Sequence, residues 1–198
     1  MNKIITIGRE FGSGGRELGR RLAEELGIEY CDKEIVTAIA EKTSMSQEYV
    51  REVIEGKNHH LYPITVGQSI HFAEDYYFQH TQSIFKAQSE IITELAQKSS
   101  CVIVGRCADF ILRDLKPFRI FVYADIDSRI RRCIARNTDK EISEKQIKKQ
   151  ILSIDKDRAK YYDFYTGNKW GDKNNYDLCI NTTDVFIKDI VPHIAKMF

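Results

Sequence analysis

Residues 4–32 read IITIGREFGSGGRELGRRLAEELGIEYCD, and this stretch decides the fold. The apolar run Ile4–Gly8 predicts a buried strand. A helical stripe follows and stops at Gly27; its apolar residues are Leu18, Leu22, Ala23 and Leu26. A second apolar run, Ile28–Cys31, predicts another strand. Strand, glycine loop, helix and strand within about 30 residues indicate a βαβ unit of a parallel sheet.

The same alternation of short β-rich runs and helical patterns continues along the chain, which predicts an α/β protein with a parallel sheet. The predicted strands are Ile4–Gly8, Ile28–Cys31, Cys101–Gly105, Arg119–Ala124 and Asp177–Asn181. Residues 32–97 are mostly helical in pattern, and the later predicted helices are Ala108–Leu115, Ile126–Arg136, Ser143–Tyr162 and Val185–Lys196. We expect one domain over residues 1–198, with a helical insertion at 32–97 and a helical arm.

The composition excludes several classes of protein. Thirty basic and 29 acidic residues leave a net charge of +1, so we expect neither a nucleic-acid nor an anionic-membrane partner. No apolar stretch is long enough for a membrane span or a signal peptide, which predicts a cytoplasmic protein. The five cysteines form no CxxC pair. We therefore expect buried thiols, at Cys31, Cys101 and Cys179 above all, rather than a redox or metal site.

The glycine loop at residues 8–17, GREFGSGGRE, predicts an anion site. Glycines let successive backbone N–H groups turn toward one point, and the start of the following helix adds partial positive charge. Two designs share this layout. If the dinucleotide fingerprint GxGxxG began at Gly12, its last glycine would fall at position 17, where the sequence has Glu17. Asp32 does lie near the position of the acidic residue that binds the ribose in dinucleotide-binding folds. The P-loop GxxxxGK[ST] fits in part, with Gly15 at the lysine place and Glu17 at the hydroxyl place.

Four ordered blocks resemble the cytidylate-kinase-like family of P-loop proteins, which is similar to bacterial cytidylate kinase. The blocks are residues 7–32, 102–112 (VIVGRCADFIL), 119–132 (RIFVYADIDSRIRR) and 155–170 (DKDRAKYYDFYTGNKW). The resemblance implies a P-loop NTPase-type three-layer sandwich with a five-stranded parallel sheet. It also implies a nucleoside triphosphate on the glycine loop, an acceptor-binding role for the insertion at 32–97, and an arginine-bearing lid over 126–170.

The glycine loop departs from cytidylate kinase at three positions. Gly15 replaces the lysine, Arg16 the next glycine and Glu17 the magnesium-side threonine. We expect the loop residues to hold the triphosphate; they are Gly12, Ser13, Gly14, Gly15, Arg16 and Glu17. Arg16, with Arg9 next, is the candidate replacement cation, and Glu17 is a candidate Mg²⁺ ligand. The alternative is that neither residue binds a ligand. Glu17 would then complement the helix dipole in the first turn, and Arg16 would face solvent.

Two residues follow predicted strands at the sheet edge where open α/β proteins bind ligands. Asp32 follows the second strand and is a candidate Mg²⁺ and acceptor ligand; the alternative is that it caps the next helix. Arg106 follows the third strand, and a guanidinium there suits bidentate phosphate binding. The resemblance implies that Arg106 holds the acceptor phosphate. Its alternative is a structural ion pair.

The lid region carries further candidates. Arg129, Arg132 and Arg136 share one side of a predicted helix, and the first two match the family pattern best. In the next helix an isoleucine stripe leads to Asp155 and Arg158, which match the family's D-x-x-R. We expect Arg129 to bind the nucleotide, and Arg132, Asp155 and Arg158 to act in catalysis with Arg16.

Two aromatic-rich segments have no assigned chemistry. Five aromatic residues lie within 161–170, and we interpret them as packing rather than base stacking. Residues 59–85 hold four of the five histidines without zinc-ligand spacing. We interpret this second segment as an oligomer contact or part of the acceptor pocket.

The leading hypothesis is a kinase of the nucleoside monophosphate type. It moves the γ-phosphoryl of ATP, with Mg²⁺, to a small acceptor, with cytidylate among the acceptors that the resemblance suggests. The alternative is a catalytically weak or inactive nucleotide-binding regulatory module, which the missing lysine favours. A dinucleotide-dependent oxidoreductase is disfavoured by Glu17 and by the arginine-rich lid.

Overall fold

Five parallel strands form the centre of the molecule in the order β2-β3-β1-β4-β5. The structure is a computed structural model that describes residues 2–56, 70–136 and 142–198, without the side chains of 70–77. The strands are β1 (Ile4–Arg9), β2 (Glu29–Cys31), β3 (Cys101–Val104), β4 (Phe118–Tyr123) and β5 (Leu178–Asn181).

The helices flank this sheet. They are α1 (Gly15–Leu26), α2 (Lys33–Thr43), α3 (Gln47–Ile54), α4 (Ile70–Lys98), α5 (Ala108–Ile111), α6 (Ile126–Arg136), α7 (Glu144–Thr166) and α8 (Ile187–Ala195). Short 3₁₀ turns lie at Arg113–Leu115 and Lys173–Asn175. Local chemistry fixes several ends. For example, α1 ends at Gly27 in the left-handed conformation, and Ser143 and Gln146 form a capping box at the start of α7.

Alternate residues of the central strands enter two cores, one on each face of the sheet. Ile5 and Ile7 of β1 pack with α1 and α8, whereas Ile4 packs with the α2–α5 side. Because both faces are covered, the strands are nearly continuous apolar runs, as parallel sheets require. The carboxyl ends of β1, β2 and β3 therefore meet at one edge, and the pairing of Ile7 with Val104 places Arg9 beside Arg106 there.

The predicted α/β architecture and all five strands are confirmed, with ends that differ by about one residue. Ala108–Leu115 was expected as one helix and is instead α5 followed by a 3₁₀ turn. Cys31 and Cys101 are buried as predicted, but the prediction for Cys179 is wrong. Cys179 is exposed because β5 is an edge strand whose burial alternates along its length. None of the described helices has the length and hydropathy of a membrane span.

Candidate functional site

The glycine loop between β1 and α1 folds as a nest of backbone amides. Gly12 and Gly14 have φ angles of 79° and 87°, which L side chains rarely adopt. A Cβ at Gly14 would lie 2.7 Å from Ile187 Cδ1, so this position also needs glycine for space. The first intrahelical bond of α1 runs from the Leu18 N–H to the Gly14 carbonyl. The N–H groups of residues 15–17 precede that bond and have no partner within the helix.

The buried Ser13 and Thr182 fasten this loop to the last strand. The Ser13 hydroxyl donates to the Glu10 carbonyl at 2.9 Å, and the Thr182 hydroxyl donates to the Ser13 carbonyl at 2.7 Å. Both side chains are fully buried. The Thr182 bond thus ties the loop to the residue that follows β5, at the carboxyl edge of the sheet.

The end of β3 is a strained turn that aims Arg106 inward. Gly105, Arg106 and Cys107 all have positive φ angles, at 73°, 64° and 51°. Two of these are non-glycine residues, a conformation that persists where the surroundings enforce it. The buried Gln88 of α4 does so, because its Nε2 donates to the Arg106 carbonyl at 2.9 Å. The Arg106 side chain is buried, and its Nε has no hydrogen-bond partner among the described residues.

Arg9 at the end of β1 fills the space between two glycines. A Cβ at Gly15 would lie 2.5 Å from Arg9 Cβ, and a Cβ at Gly105 would lie 1.7 Å from Arg9 Nη1. The guanidinium therefore occupies the floor of the crevice, beside Arg106. Within the described ranges, no carboxylate lies within ion-pair distance of either guanidinium.

Arg158 of α7 lies at the same part of the crevice as Arg9 and Arg106. Its Nη1 donates to the Arg9 carbonyl at 3.5 Å, and its guanidinium lies 5.5 Å from the centre of the Phe11 ring. Asp155 Oδ1 is 3.9 Å from Arg158 Nη1, at the limit of an ion pair. Arg158 thus completes a group of three arginines, Arg9, Arg106 and Arg158, which we call the arginine floor.

The arginine floor lies where two cavities meet. A cavity of about 490 Å³ opens over the glycine loop between α6 and α7, and its volume is typical of a small-molecule site. A narrower cavity of about 40 Å³ continues beneath it, past Arg106 to Tyr161 and Trp170. Arg9, Glu55 and Arg158 line both cavities.

Burial and mutual repulsion make the arginine floor attractive to an anion. Burial lowers the pKa of Arg9 well below its usual range, and the charges of Arg158 and Arg106 lower it further. Burial likewise lowers the pKa of Arg106 and of Arg158, against the opposing effect of nearby carboxylates. Guanidinium groups nevertheless stay protonated in proteins. A bound anion would relieve both the desolvation and the repulsion.

Asp32 is the N-cap residue of α2, but its carboxylate makes no capping hydrogen bond and pairs with Arg16 instead. Asp32 Oδ2 lies 2.7 Å from Arg16 Nε and 3.4 Å from the Tyr30 hydroxyl, which donates to it. Burial and the nearby Asp32 charge raise the pKa of Tyr30 to about 12, so this hydroxyl stays protonated. Asp32 Oδ1 is buried without a hydrogen-bond partner among the described residues. The structure therefore leaves one hard oxygen donor unused beside the glycine loop.

Glu17 points away from the large cavity over the loop. Its carboxylate oxygens lie 3.0 Å from Arg21 Nε and 2.9 Å from Arg136 Nη2. The Arg136 contact links α1 to α6, and Glu17 lines two shallower cavities outside the arginine floor. Glu17 shares one of these cavities with Asp32, the other candidate metal ligand, but neither residue lines the two cavities at the arginine floor. Among the described residues, no group of three or more His, Cys, Asp or Glu side chains forms a metal cluster.

Asp155 and Arg129 bind each other and the glycine loop. Asp155 Oδ1 accepts from the Phe11 N–H at 2.7 Å, and Arg129 Nε donates to the Phe11 carbonyl at 2.7 Å. Arg129 also pairs directly with Asp155 and, at 3.1 Å, with Glu10. Burial raises the pKa of both carboxyl groups. Glu10 and Asp155 therefore form an ion cluster around the buried Arg129, and this cluster docks α6 and α7 onto the loop.

Arg132 contacts the segment between β5 and α8. Its Nη2 donates to the carbonyls of Thr182 and Val185, the latter at 3.0 Å. The guanidinium still lines the cavity over the loop, together with Arg136. It also lines a second cavity of about 490 Å³ that reaches the exposed Phe186. Arg132 thus lies between two cavities rather than on the arginine floor.

The aromatic residues of 161–170 are mainly packed together. The rings of Phe85 and Tyr165 stack at 4.0 Å, and Trp170 meets Phe121 edge-on at 5.4 Å. Tyr161 is buried, with its hydroxyl 3.4 Å from Gln88 Oε1. Most of the histidine-rich segment, residues 57–69 and the side chains of 70–77, lies outside the described residues. Its assignment as an oligomer contact or acceptor pocket stays a prediction.

Sequence reasoning ranked Arg9 too low and missed the roles of Gln88 and Gly105, and all three residues shape the site. Arg9 was considered only as a second choice after Arg16, although it is more central. Gln88 supports Arg106 and lies on the apolar stripe of α4, where a buried amide was a usable signal. Gly105 gives Arg9 its space, and local pattern carries no sign of that long-range contact.

Several solved structures share this fold. A solved structure of an uncharacterized protein from Eubacterium ventriosum ATCC 27560 is 30% identical, with a TM-score of 0.71 over 99% of this chain and 98% of that one. Shikimate kinase from Bacteroides thetaiotaomicron shares the fold at 14% identity and a TM-score of 0.57, covering 98% and 96% of the two chains. Shikimate kinase from Acinetobacter baumannii, in complex with shikimate, shares the fold at 16% identity and a TM-score of 0.54. That match covers 100% of this chain and 92% of that one.

Curated proteins gave no match. The family model of the cytidylate kinase-like family matches residues 4–184, nearly the whole chain. The resemblance inferred from the four sequence blocks is thereby confirmed, and the chain belongs to the cytidylate kinase-like family.

Proposed function

We propose that this protein is a phosphotransferase that moves the γ-phosphoryl group of ATP to a small anionic acceptor. One observation carries the proposal: the arginine floor lies beside the nest of backbone amides, without a carboxylate paired to Arg9 or Arg106 in the described chain. Partly or fully buried cations that pair directly with no carboxylate are costly to the folded protein, so Arg9 and Arg106 favour an anionic ligand that binds between them.

The chemistry of phosphoryl transfer matches what these residues offer. The reaction needs little covalent participation by the protein, and catalysis comes from positioning and from neutralising charge on the phosphoryl oxygens. The amides of residues 15–17 bind the triphosphate at the start of α1. Arg106, in the narrower cavity, binds the anionic group of the acceptor, and Arg158 lies between the two sites.

The lid residues act mainly through the docking of α7. Asp155 accepts a hydrogen bond from the Phe11 N–H and forms an ion pair with Arg129. These two contacts fix α7 over the loop and bring Arg158 to the arginine floor. Asp155 and Arg129 are therefore positioning residues in this proposal, while Arg158 contacts the phosphates. The docked helix also shields the transferring group from water, which limits hydrolysis of ATP.

Magnesium fits the site through a single carboxylate. The orphaned Oδ1 of Asp32 is a hard oxygen donor, and Mg²⁺ in kinase sites takes one or two carboxylates along with substrate phosphates and water. Asp32 would hold the ion directly or through water, with Arg16 keeping the carboxylate oriented. When bound, the ion neutralises charge on the β and γ phosphates.

The nucleoside is proposed to lie in the cavity between α6 and the segment before α8. Arg132 lines both this cavity and the cavity over the loop, so the two are neighbours. The exposed ring of Phe186 and the planar guanidinium of Arg132 offer surfaces on which a base stacks.

A phosphoryl-transfer assay tests the proposal. The intact chain, ATP labelled in the γ position and Mg²⁺ are incubated with single acceptors, namely the nucleoside monophosphates and a set of small hydroxylated acids. We expect one acceptor to become labelled, and we expect that labelling to fall at least about 30-fold in Arg106→Met, since a charge-assisted contact is lost. Labelling of none of these acceptors would contradict the phosphotransferase proposal.

A second candidate is a nucleotide-binding module with weak or no transfer activity, which Gly15 at the lysine place favours. The two candidates differ in turnover and not in binding. ATP binding to the intact chain, together with no labelled product from any acceptor, would select the module.

A further inference from the structure

The glycine loop lacks a lysine, yet a cation lies over the position where the lysine is missing. In the P-loop pattern GxxxxGK[ST], the lysine reaches the β and γ phosphates, and Gly15 stands at its place here. The side chain of Arg9 passes directly over Gly15. A Cβ built at Gly15 would lie 2.5 Å from Arg9 Cβ and 3.1 Å from Arg9 Cγ. With Arg9 on this path, position 15 has no space for a side chain.

The far end of Arg9 is accommodated in the same way. Gly105 has a φ of 73°, and a Cβ there would lie 1.7 Å from Arg9 Nη1 and 2.7 Å from Cζ. Gly15 of the loop and Gly105 at the end of β3 therefore leave room, by lacking side chains, for the side chain of Arg9. The Arg9 guanidinium lies near Arg106 and Arg158, and Arg9 lines both cavities.

The alternative cation, Arg16, is already engaged. Its Nε lies 2.7 Å from Asp32 Oδ2, and its side chain is 52% exposed. An exposed, ion-paired arginine at the mouth of the crevice offers less to a phosphate than a desolvated one on its floor. Arg9 has no carboxylate partner in the described part of the chain.

We propose that Arg9 is the phosphate-binding cation of this protein, taking over from the strand end the contact that a lysine at position 15 makes in the usual loop. The proposal deepens the proposed function and rests on it. It assigns Gly15 the role of making space for the first carbons of the Arg9 side chain, and Gly105 the role of making space for its guanidinium. The ligand it recognises is the β and γ phosphates of a nucleoside triphosphate.

Binding of ATP, followed by calorimetry in Mg²⁺, tests the assignment. Arg9→Met keeps much of the side-chain volume and removes the charge, and we expect ATP affinity to fall about 30-fold or more. Arg113→Met is the matched control, because Arg113 lies in the exposed 3₁₀ turn and stacks on Phe110, away from the cavities. The control should bind ATP within about twofold of the unmodified chain.

A cation swap separates phosphate binding from a purely structural role. Gly15→Lys alone should weaken ATP binding, because its Cβ collides with Arg9. Arg9→Gly alone should weaken binding as well, because the charge is gone. The double variant Arg9→Gly with Gly15→Lys removes the collision and supplies the lysine of the usual loop. We expect it to bind ATP at least about tenfold more tightly than either single variant.

Thermal unfolding by circular dichroism is recorded for every variant, so that a misfolded variant is recognised. If Arg9→Met fails to fold, Arg9→Lys, which keeps the charge, replaces it and should retain more affinity than Arg9→Gly. ATP affinity in folded Arg9→Met within about threefold of the control would overturn the role of Arg9 while leaving the proposed function intact. No ATP binding by the unmodified chain would overturn both.

Discussion

The guanidinium of Arg9 occupies the place where a side chain on Gly105 would be, since a Cβ on Gly105 would lie 1.7 Å from Arg9 Nη1. The two residues are far apart in the chain, and the parallel pairing of β1 with β3 brings them together. This contact connects the strained end of β3 to the glycine loop. It explains why a positive-φ glycine directly precedes Arg106.

Gly105→Ala is therefore expected to disable the site. The new Cβ displaces the Arg9 guanidinium, and the left-handed backbone adds a strain of about 1–2 kcal/mol. We expect ATP affinity, measured by calorimetry, to fall at least about tenfold. Gly27→Ala is the control, because Gly27 also has positive φ but open space around it. It should lose about 1 kcal/mol of stability and bind ATP normally; equal loss of ATP affinity in both variants would count against the Arg9 contact.

Arg106→Met should separate stability from function. Arg106 is buried, its Nε has no partner among the described residues, and burial lowers its pKa. Removing this charge should leave the free energy of unfolding of the ligand-free protein unchanged or raise it by about 1–2 kcal/mol. Urea unfolding measures the effect. A loss of more than about 2 kcal/mol would mean that Arg106 has a structural partner and is not kept for a ligand.

Arg129→Met should be strongly destabilising. Arg129 is buried and pairs with Glu10 and Asp155, so its loss leaves two carboxylates without a cation. Breaking a buried ion cluster from one side costs about 3–5 kcal/mol in the free energy of unfolding. Arg131→Met is the matched control, because Arg131 and its partner Asp184 are both exposed. The control should cost less than about 1 kcal/mol in the same urea titration, and similar losses in both variants would contradict the cluster.

The partly buried carboxyl of Asp109 should make stability fall with rising pH. Burial raises the pKa of Asp109 above its usual 3.8, although the Tyr162 hydroxyl donates to it at 2.6 Å. The native state therefore binds this proton more tightly than the unfolded state does. The resulting stabilisation is complete below pH 3.8 and is lost as pH rises through the native pKa.

Asp109→Asn isolates this titration, since the variant keeps the shape and lacks the proton equilibrium. We expect the free energy of unfolding of the unmodified chain, relative to the variant, to decrease from about pH 4 upward and then level off. Denaturant unfolding between about pH 4 and 8 gives the difference curve. A difference that rises with pH over this range would mean that the native pKa is lowered rather than raised.

The architecture was predictable because its signals are local. Each buried strand is an apolar run, and the glycine loop lies between a strand and a well-patterned helix, so the βαβ unit can be read directly from residues 4–31. Arg106 was predictable for the same reason, because an arginine that follows a buried parallel strand lies at the ligand-binding edge.

The partners of the charged residues were not predictable from local pattern. Glu17 is an acid in the first turn of α1, and its contact with Arg136 depends on where α6 packs. Asp155 and Arg158 belong to one short motif, yet Asp155 holds the loop amide of Phe11 while Arg158 reaches the crevice floor. Such roles follow from tertiary packing, which periodicity does not encode.

A calorimetric titration of the intact chain with ATP and Mg²⁺ tests the central claim most directly. If the glycine loop and the arginines at the ends of β1 and β3 form a polyphosphate site, ATP binds at one site per chain with a Kd below about 100 μM, and ADP binds more weakly. A folded chain that gives no saturable heat with about 1 mM ATP would contradict the claim, because those buried charges would then have another reason to exist.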